Sequence, residues 1–207
     1  MILGFIDSRA KILLFFCICK IMHKKHAIGL HISFFWLTLC PIMRKVKLFL
    51  TDVDGCLTDG GMYYGADGEE MKRFCVYDGM GIVRLQKAGI PCGILTSENT
   101  PIVQRRAEKL RLQYLRMGVG SQVQRGATTK LEAAEEICRE LGITLEDVCF
   151  VGDDINDLDL LRAVGLPACP PNARPEVLAL PRILRLQTPG GQGAIRELAD
   201  KILDLTI

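Results

Sequence analysis

The sequence predicts an α/β fold, a doubly wound parallel sheet with a small β-hairpin insertion. From residue 43 onward, short apolar runs alternate with segments whose apolar residues recur every three or four positions. This alternation of strands and helices is typical of a parallel sheet with helices on its faces. Three of the runs, Lys47–Asp52, Ile90–Thr96 and Val148–Gly152, end in polar residues or lead directly into them, as expected where strands reach a binding edge.

The first half of the predicted sheet contains the insertion. The strand Lys47–Asp52 is followed by a predicted hairpin over Gly60–Val76, because strand-like segments flank an Asp-Gly turn at residues 66–69. A helix is predicted over residues 78–87 and is followed by a glycine, which commonly ends helices. The strand Ile90–Thr96 comes next.

The rest of the chain continues the same alternation. Pro101 fits the first turn of a helix over Thr100–Lys109. Five apolar residues on one face predict a helix over Lys130–Leu141, which Gly142 stops. The polar stretch Ser121–Thr129 is predicted to be a loop. The remaining predicted strands are Tyr114–Met117, Val148–Gly152, Leu166–Cys169 and Ile183–Leu186, and the remaining helices are Asn156–Val164, Pro175–Leu180 and Ala194–Leu203.

Residues 1–42 differ in composition from the rest of the chain, and we expect them to be a separate N-terminal extension. They contain all three histidines and the only tryptophan, and neither of their apolar runs reaches the ~18 residues that span a bilayer. A membrane-associating segment and a signal peptide are the alternatives. We expect Met43 to be the natural start, because a strand begins directly after it, and residues 43–207 to form one domain without a membrane segment.

Composition excludes several classes of function. Residues 43–207 carry 21 Lys and Arg against 23 Asp and Glu, so no basic surface for nucleic acid is expected. The nine cysteines form no CxxC pair and several lie in apolar runs. They are therefore expected to be reduced and buried in a cytoplasmic protein, and zinc is not expected because no histidine follows residue 31.

The pair Asp52 and Asp54 marks the candidate reactive centre. In a strand the two side chains share one face, about 6–7 Å apart, at the edge where α/β sheets bind ligands. A hard cation such as Mg²⁺ would relieve their repulsion, and one carboxylate could act as nucleophile while the other acts as acid and base. A plain surface turn is the alternative. A calcium loop is excluded, because Cys56 and Tyr63 occupy two of its ligand positions.

Polar residues at two further strand ends complete a candidate site for phosphate and metal. Thr96 and Ser97 follow the second core strand, and Lys130 opens a helix where its charge could stabilise a phosphoryl group. The strand ending at Gly152 leads into a third acidic group, which consists of Asp153, Asp154 and Asp157. Helix capping by the aspartates and Thr96, with a solvated Lys130, is the alternative for each residue taken alone.

These residues resemble the four motifs of the haloacid dehalogenase superfamily phosphatases. The resemblance covers about residues 45–203 and none of residues 1–42. It is closest to the branch without a large cap domain that contains 3-deoxy-D-manno-octulosonate 8-phosphate (KDO 8-phosphate) phosphatase and relatives acting on a nine-carbon sugar acid 9-phosphate. The segments that carry it are Asp52–Tyr64, Asp78–Ile82, Arg105–Lys109, Gly152–Asp157 and Gly190–Gly193.

The resemblance implies a role for each candidate residue. It implies Asp52 as the nucleophile and Asp54 as the acid and base, with Mg²⁺ held by Asp52, the backbone carbonyl of Asp54, and Asp153. It implies that phosphate is bound by Thr96, Ser97 and Lys130, and that Asp154 and Asp157 support these ligands. It also implies a homotetramer, built through the hairpin.

Substrate choice depends on weaker signals. Glu98, Arg106 and Lys109 resemble the nine-carbon enzymes, and Thr58 and Asp78 are further candidates for substrate selection. Arg106 and Lys109 lie three residues apart on one predicted helical face, where they could pair with a sugar carboxylate. We therefore expect a phosphorylated 2-keto-3-deoxy sugar acid, with the nine-carbon ester ranked ahead of the eight-carbon one. Ordinary surface charges are the alternative.

Two alternatives remain open in the sequence. The chain could be a non-catalytic assembly module, like similar domains fused to sugar-acid cytidylyltransferases. The loop Gly118–Thr129 also exceeds the usual length of the family's link to the lysine, so Arg125 is a second candidate for the cationic role of Lys130.

Overall fold

The computed structural model describes residues 46–121, 126 and 128–205. The N-terminal extension expected over residues 1–42 and residues 122–125, which include Arg125, lie outside the described residues. The domain boundary expected at residue 43 therefore stays a prediction. No helix in the described ranges is long and apolar enough to cross a membrane.

A six-stranded parallel sheet forms the centre of the described chain, as the sequence predicts. The strands are β1 (Leu48–Thr51), β4 (Cys92–Thr96), β5 (Tyr114–Met117), β6 (Val148–Val151), β7 (Leu166–Cys169) and β8 (Leu184–Arg185). Their spatial order is β5-β4-β1-β6-β7-β8, and every neighbouring pair is parallel. The chain builds outward from β1 in both directions, so the carboxyl ends of β4, β1 and β6 lie side by side.

Helices flank the sheet and follow its strands. They are α1 (Val76–Lys87), α2 (Pro101–Lys109), α3 (Lys130–Leu141), α4 (Leu158–Ala163), α5 (Pro175–Leu178) and α6 (Ala194–Leu205). Short 3₁₀ turns at Leu145–Asp147 and Ile155–Asp157 precede β6 and α4. Each predicted helix is present, with ends that shift by a few residues.

The core lies on both faces of the sheet because strand side chains alternate. Phe49 packs into one hydrophobic cluster with Ile82 of α1 and Ile195 of α6. Its neighbours in β1, including Leu50, pack into a second cluster with Ile137 of α3. Burial on both faces holds the strand rigidly, which fixes the position of the residues that follow it.

The predicted hairpin is present. Between β1 and β4 the chain forms only this hairpin and helix α1, so no large cap domain interrupts the described residues. The strands of the hairpin are β2 (Tyr63–Tyr64) and β3 (Glu70–Met71), which pair antiparallel. The turn between them closes through the Gly65 amide, which donates to the Glu69 carbonyl at 2.7 Å.

One detail of the sequence prediction is wrong. The first strand ends at Thr51, so Asp52 and Asp54 are not strand residues that share one face. The Val53 carbonyl accepts hydrogen bonds from the amides of Leu57 and Thr58, which folds residues 53–58 into a tight turn. Gly55 adopts a φ of +80° in this turn, a conformation that favours glycine. The turn directs the two carboxylates to different partners.

Candidate active site

Asp52 lies directly beyond the carboxyl end of β1 and is 6% exposed. Its Oδ1 accepts a hydrogen bond from the Val53 amide at 2.7 Å. Its Oδ2 lies 2.7 Å from Nζ of Lys130. The buried β1 strand and these two donors therefore hold the carboxylate in one orientation at the sheet edge.

Lys130 is the first residue of α3 and its side chain is fully buried. The helix begins there because Thr129 and Glu132 form a reciprocal capping box. Nζ of Lys130 lies 2.6 Å from Oδ1 of Asp157 as well as next to Asp52. A buried ammonium is costly unless it is paired, and the two carboxylates supply that pairing.

Asp157 connects Lys130 to the segment that follows β6. Its Oδ2 accepts hydrogen bonds from the backbone amides of Asp153, at 2.9 Å, and Asp154, at 3.2 Å. Gly152 makes this approach possible, because a Cβ there would lie 2.6 Å from the Asp157 side chain. Both oxygens of Asp157 are thus engaged, while the exposed Asp154 bonds its side chain to the Ile155 amide. Asp157 orients its neighbours and has little capacity left for another ligand.

The carboxylate cluster consists of Asp52, Asp153 and Asp157, each of which offers an oxygen within 4.8 Å of the others. Burial raises the pKa of Asp52 to about 7, although the positive charge of Lys130 acts to lower it. Burial, followed by the charges of Asp52 and Asp157, raises the pKa of Asp153 to about 8. Burial alone would lower the pKa of Lys130, but the two carboxylates it contacts raise it, so the ammonium stays protonated.

The carboxylate cluster fits a divalent cation. Three carboxylates and the ammonium of Lys130 leave a formal charge of −2, which a divalent cation would balance. The donors are all oxygens, the ligands that Mg²⁺ prefers. Asp157 is fully buried and accepts three hydrogen bonds, whereas Asp52 accepts two and Asp153 is half-buried, so Asp52 and Asp153 are the side chains that would hold the metal. Gly55 leaves room for Asp153, because a Cβ at residue 55 would lie 2.0 Å from its carboxylate.

The side-chain contacts of Asp54 are with residues outside the carboxylate cluster. Its Oδ2 lies 2.7 Å from Nζ of Lys72, and its Oδ1 accepts a hydrogen bond from the Thr58 hydroxyl at 3.2 Å. Thr58 is fully buried and its oxygen also accepts from the Gly60 amide. Thr58 therefore contacts the proposed acid and base directly, and the metal role expected for the Asp54 backbone carbonyl stays a prediction.

The residues at the end of β4 line the same edge of the sheet. The Thr96 side chain is 1% exposed, and its hydroxyl accepts a hydrogen bond from the Glu98 amide at 3.2 Å. Ser97 and Glu98 are half-buried. The Thr96 carbonyl also accepts from the Val119 amide, which ties this end to the segment after β5. The phosphate-binding role expected for Thr96 and Ser97 stays a prediction.

The structure places Asp78 in a stabilising position. It is fully buried, and its Oδ1 accepts hydrogen bonds from the Ile195 and Arg196 amides at the start of α6, at 2.9 and 3.2 Å. Burial is the largest influence on its pKa and raises it. A substrate could not touch this carboxylate without rearrangement of α1 and α6, so the expectation of substrate selection by Asp78 gains no support.

Arg106 and Lys109 do not converge on the carboxylate cluster. Nη2 of Arg106 donates to the Cys75 carbonyl at 3.1 Å, and its guanidinium lies 5.2 Å from the Phe74 ring centroid. Lys109 is exposed near the end of α2, beside residues of the last turn of α1. Neither residue forms an ion pair with the cluster within the described ranges. The pairing of Arg106 and Lys109 with a sugar carboxylate stays a prediction.

Sequence reasoning missed two polar residues that contact the turn after β1. Lys72 pairs with Asp54, and Nδ2 of Asn172 donates to the Gly55 carbonyl at 2.9 Å. Oδ1 of Asn172 accepts from the Gly190 amide at 2.8 Å, so it joins three segments. Neither residue could be identified as a contact of this turn from the sequence, because each lies among other polar residues and belongs to no recognisable motif.

Comparisons with known proteins agree with this arrangement. A family model described as haloacid dehalogenase-like hydrolase matches residues 75–165. The 3-deoxy-D-manno-octulosonate 8-phosphate phosphatase of Haemophilus influenzae is 35% identical over 168 residues, which are 78% of this chain and 84% of that protein. The enzyme of that name from Escherichia coli K12 is 35% identical over 163 residues, 77% of this chain and 80% of the relative.

Solved structures give the same result. The Moraxella catarrhalis 3-deoxy-D-manno-octulosonate 8-phosphate phosphatase, in complex with magnesium, phosphate and KDO, is 32% identical with a TM-score of 0.74. The similarity covers 82% of this chain and 92% of that one. On the identity and coverage of these relatives, the chain belongs to the haloacid dehalogenase-like hydrolases, in the phosphatase family that contains the 3-deoxy-D-manno-octulosonate 8-phosphate phosphatases.

Proposed function

We propose that this protein is a Mg²⁺-dependent phosphatase that hydrolyses the phosphate ester of a 2-keto-3-deoxy sugar acid through an aspartyl phosphate on Asp52. One observation supports this most strongly. The carboxylate of Asp52 is held at the end of β1 between a backbone amide and Lys130, next to Asp153. A fixed carboxylate next to a cation and a metal site has what phosphoryl transfer requires, which is mainly positioning and charge stabilisation.

The reaction takes two steps at Asp52. In the first, a carboxylate oxygen of Asp52 bonds to phosphorus while the bond from phosphorus to the sugar oxygen breaks. Asp54 gives its proton to that sugar oxygen. In the second, water attacks phosphorus, Asp54 takes the water proton, and the bond between Asp52 and phosphorus breaks. Atoms and charge balance over the two steps, and Asp54 returns to its starting state.

The remaining residues bind and orient the phosphoryl group. The Thr96 hydroxyl, the Ser97 segment and Lys130 are the donors proposed for its oxygens. When bound at Asp52 and Asp153, Mg²⁺ supplies positive charge to the phosphoryl oxygens. Asp157 orients Lys130 through their 2.6 Å contact and fixes the Asp153 backbone through its second oxygen.

Phosphate release tests the proposal directly. Purified protein is incubated with KDO 8-phosphate, with Mg²⁺ or with EDTA, beside an Asp52→Asn variant. We expect release only from the wild-type protein with Mg²⁺. If wild type and Asp52→Asn release equally little phosphate from every phosphorylated sugar acid tried, the non-catalytic assembly module replaces the enzyme.

For the chain length of the sugar acid, we rank the eight-carbon ester first. The relatives compared above carry the 8-phosphate name. The nine-carbon ranking depended on Glu98, Arg106 and Lys109, and the Arg106 guanidinium is engaged with Cys75 and Phe74 of its own chain. The ratio of kcat/KM for the two esters measures this. A preference of tenfold or more for the nine-carbon ester would restore the original ranking.

We propose that the protein assembles as a homotetramer through its hairpin. Seven large apolar side chains are exposed on the hairpin and the first turns of α1, and they are Met62, Tyr63, Tyr64, Met71, Val76, Tyr77 and Met80. Exposed apolar patches commonly mark protein interfaces. Light scattering would measure the mass of the wild type and of a Tyr63→Lys, Tyr64→Lys variant. A monomeric wild type would contradict the proposal.

We also propose a cytoplasmic location. All six cysteines of the described residues are free, five of them buried, which is typical of a reducing compartment. Cell fractionation with an antibody to the protein tests this, and recovery from a secreted or membrane fraction would contradict it.

A further inference from the structure

Lys72 is a buried cation with no role in the two steps proposed at Asp52. It follows β3 directly, on the return segment of the hairpin, and its side chain is 0% exposed. Nζ lies 2.7 Å from Oδ2 of Asp54. Within the described ranges, Asp54 is the only carboxylate that forms an ion pair with it. An ammonium buried this completely is stable only with such a partner.

The carboxylate of Asp54 is held at both oxygens. Lys72 binds Oδ2, and the Thr58 hydroxyl donates to Oδ1 at 3.2 Å. Thr58 belongs to the same turn as Asp54, whereas Lys72 comes from the hairpin. Lys72 is therefore the contact that connects the hairpin to the proposed acid and base.

We infer that Lys72 is a positioning residue for the phosphatase reaction, which holds the Asp54 carboxyl group at the leaving oxygen and stabilises its negative charge. The inference rests on the proposed function. As the bond from phosphorus to the sugar oxygen breaks, the proton of Asp54 passes to that oxygen and Asp54 becomes anionic. The ammonium of Lys72 lies where this charge develops, and a charge-assisted hydrogen bond is strongest there.

This inference predicts a dependence on the leaving group. An alkyl alcohol, such as the sugar hydroxyl, needs a proton to leave, whereas the p-nitrophenolate of p-nitrophenyl phosphate leaves without one. In the first step Lys72 therefore contributes only for the sugar ester, and kcat/KM reports that step because the leaving group departs before water attacks. A contact that merely stabilised the fold would affect both esters alike.

The experiment measures kcat/KM for KDO 8-phosphate and for p-nitrophenyl phosphate with Mg²⁺. We expect Lys72→Met to lower the value for the sugar ester about 10- to 100-fold, within the usual contribution of general acid catalysis, and that for the aryl ester less than about threefold. Lys72→Arg should recover part of the loss. Lys47→Met is the matched control, because it removes an exposed lysine that is paired with Asp147 at 3.1 Å.

A double variant identifies the residue through which Lys72 acts. In an Asp54→Asn background, Lys72→Met should cause no further loss on the sugar ester. Thermal unfolding and molecular mass verify that each variant is folded. If Lys72→Met does not fold, the same two-ester ratio is measured with Lys72→Gln and Lys72→Arg.

The outcomes separate the two proposals. Wild-type protein that hydrolyses neither ester contradicts the proposed function. Active wild type with equal losses on both esters, or with no loss in the Lys72 variants, overturns the inference and leaves the proposed function intact.

Discussion

Nζ of Lys130 lies 2.7 Å from the carboxylate of Asp52, although Asp52 follows strand β1 and Lys130 begins helix α3, 78 residues later in the chain. The second partner of Lys130 is Asp157, so one ammonium balances part of the charge of two buried carboxylates. This relationship holds the proposed nucleophile in place. It also makes stability and turnover depend on the same cation.

Replacing Lys130 with methionine should lower kcat on the sugar ester by about 10²- to 10³-fold, because it removes the cation that we propose binds the phosphoryl group. The variant should also unfold at a lower temperature in EDTA, since breaking a buried pair costs about 3–5 kcal/mol. Mg²⁺ should restore part of that stability. Arg125→Ala is the comparison, and it should keep turnover within about twofold. Loss of activity in Arg125→Ala with retention in Lys130→Met would assign the cationic role to Arg125.

The affinity for Mg²⁺ should increase as pH rises from 6 to 8. In the metal-free protein, burial raises the pKa of Asp52 to about 7 and that of Asp153 to about 8, so both carry protons at pH 6. The metal must displace those protons, which weakens its binding at low pH. As the pH rises past 8, protons compete less and less with the metal for the two carboxylates. Isothermal titration calorimetry across this range measures it. An affinity independent of pH would show that the two carboxylates are already ionised.

Asp78→Ala should destabilise the protein by about 1–3 kcal/mol, because two amides at the start of α6 lose their acceptor. The relative kcat/KM for eight- and nine-carbon esters should stay unchanged, since the carboxylate is buried. Chemical denaturation measures the first effect. Asp159→Ala, which removes an exposed carboxylate paired with Arg162, is the control and should cost less than ~0.5 kcal/mol. A changed ratio of kcat/KM for the two esters in Asp78→Ala would show that this residue does take part in substrate selection.

Gly190→Ala should impair activity at a distance from the chemistry. A Cβ at residue 190 would lie 1.8 Å from the Gly55 carbonyl oxygen, so the turn that carries Asp54 must move. Crowding of this kind costs about 1–3 kcal/mol, and we expect kcat to fall at least tenfold. A Cβ at Gly61 would come closest to the end of the Asp59 side chain, at 3.1 Å, and would meet the Tyr63 ring at an ordinary 3.9 Å, so Gly61→Ala should behave like wild type. Full activity in Gly190→Ala would show that the turn tolerates displacement.

Much of the fold follows from local patterns. The helix at Lys130–Leu141 has a clear apolar face and a glycine stop, and its bounds are as predicted. The central strands were predictable because each is a short apolar run, and burial on both faces leaves no other place for such runs. The ends of α4 and β8 were less accurate, since short elements depend on tertiary contacts.

The candidate site was predictable in part. Strand ends of a parallel sheet meet at one edge, so Asp52 and Asp153 had to come close in space. The contacts of Asp54 were not predictable, because the turn that redirects it is closed by backbone hydrogen bonds to Val53. Lys72 could not be distinguished from a solvated lysine, since its burial depends on how the hairpin folds back.

By itself the sequence determined the sheet, its helices and the group of acidic and basic residues at one edge, because hydrophobic periodicity and the succession of strands and helices along the chain can be read locally. Only the tertiary structure decided which charges pair. Lys130 forms ion pairs with Asp52 and Asp157, and Lys72 forms one with Asp54. Asp78 accepts a hydrogen bond from an amide at the start of α6. Burial makes an unpaired charge too costly, so packing rather than sequence spacing selects the partners.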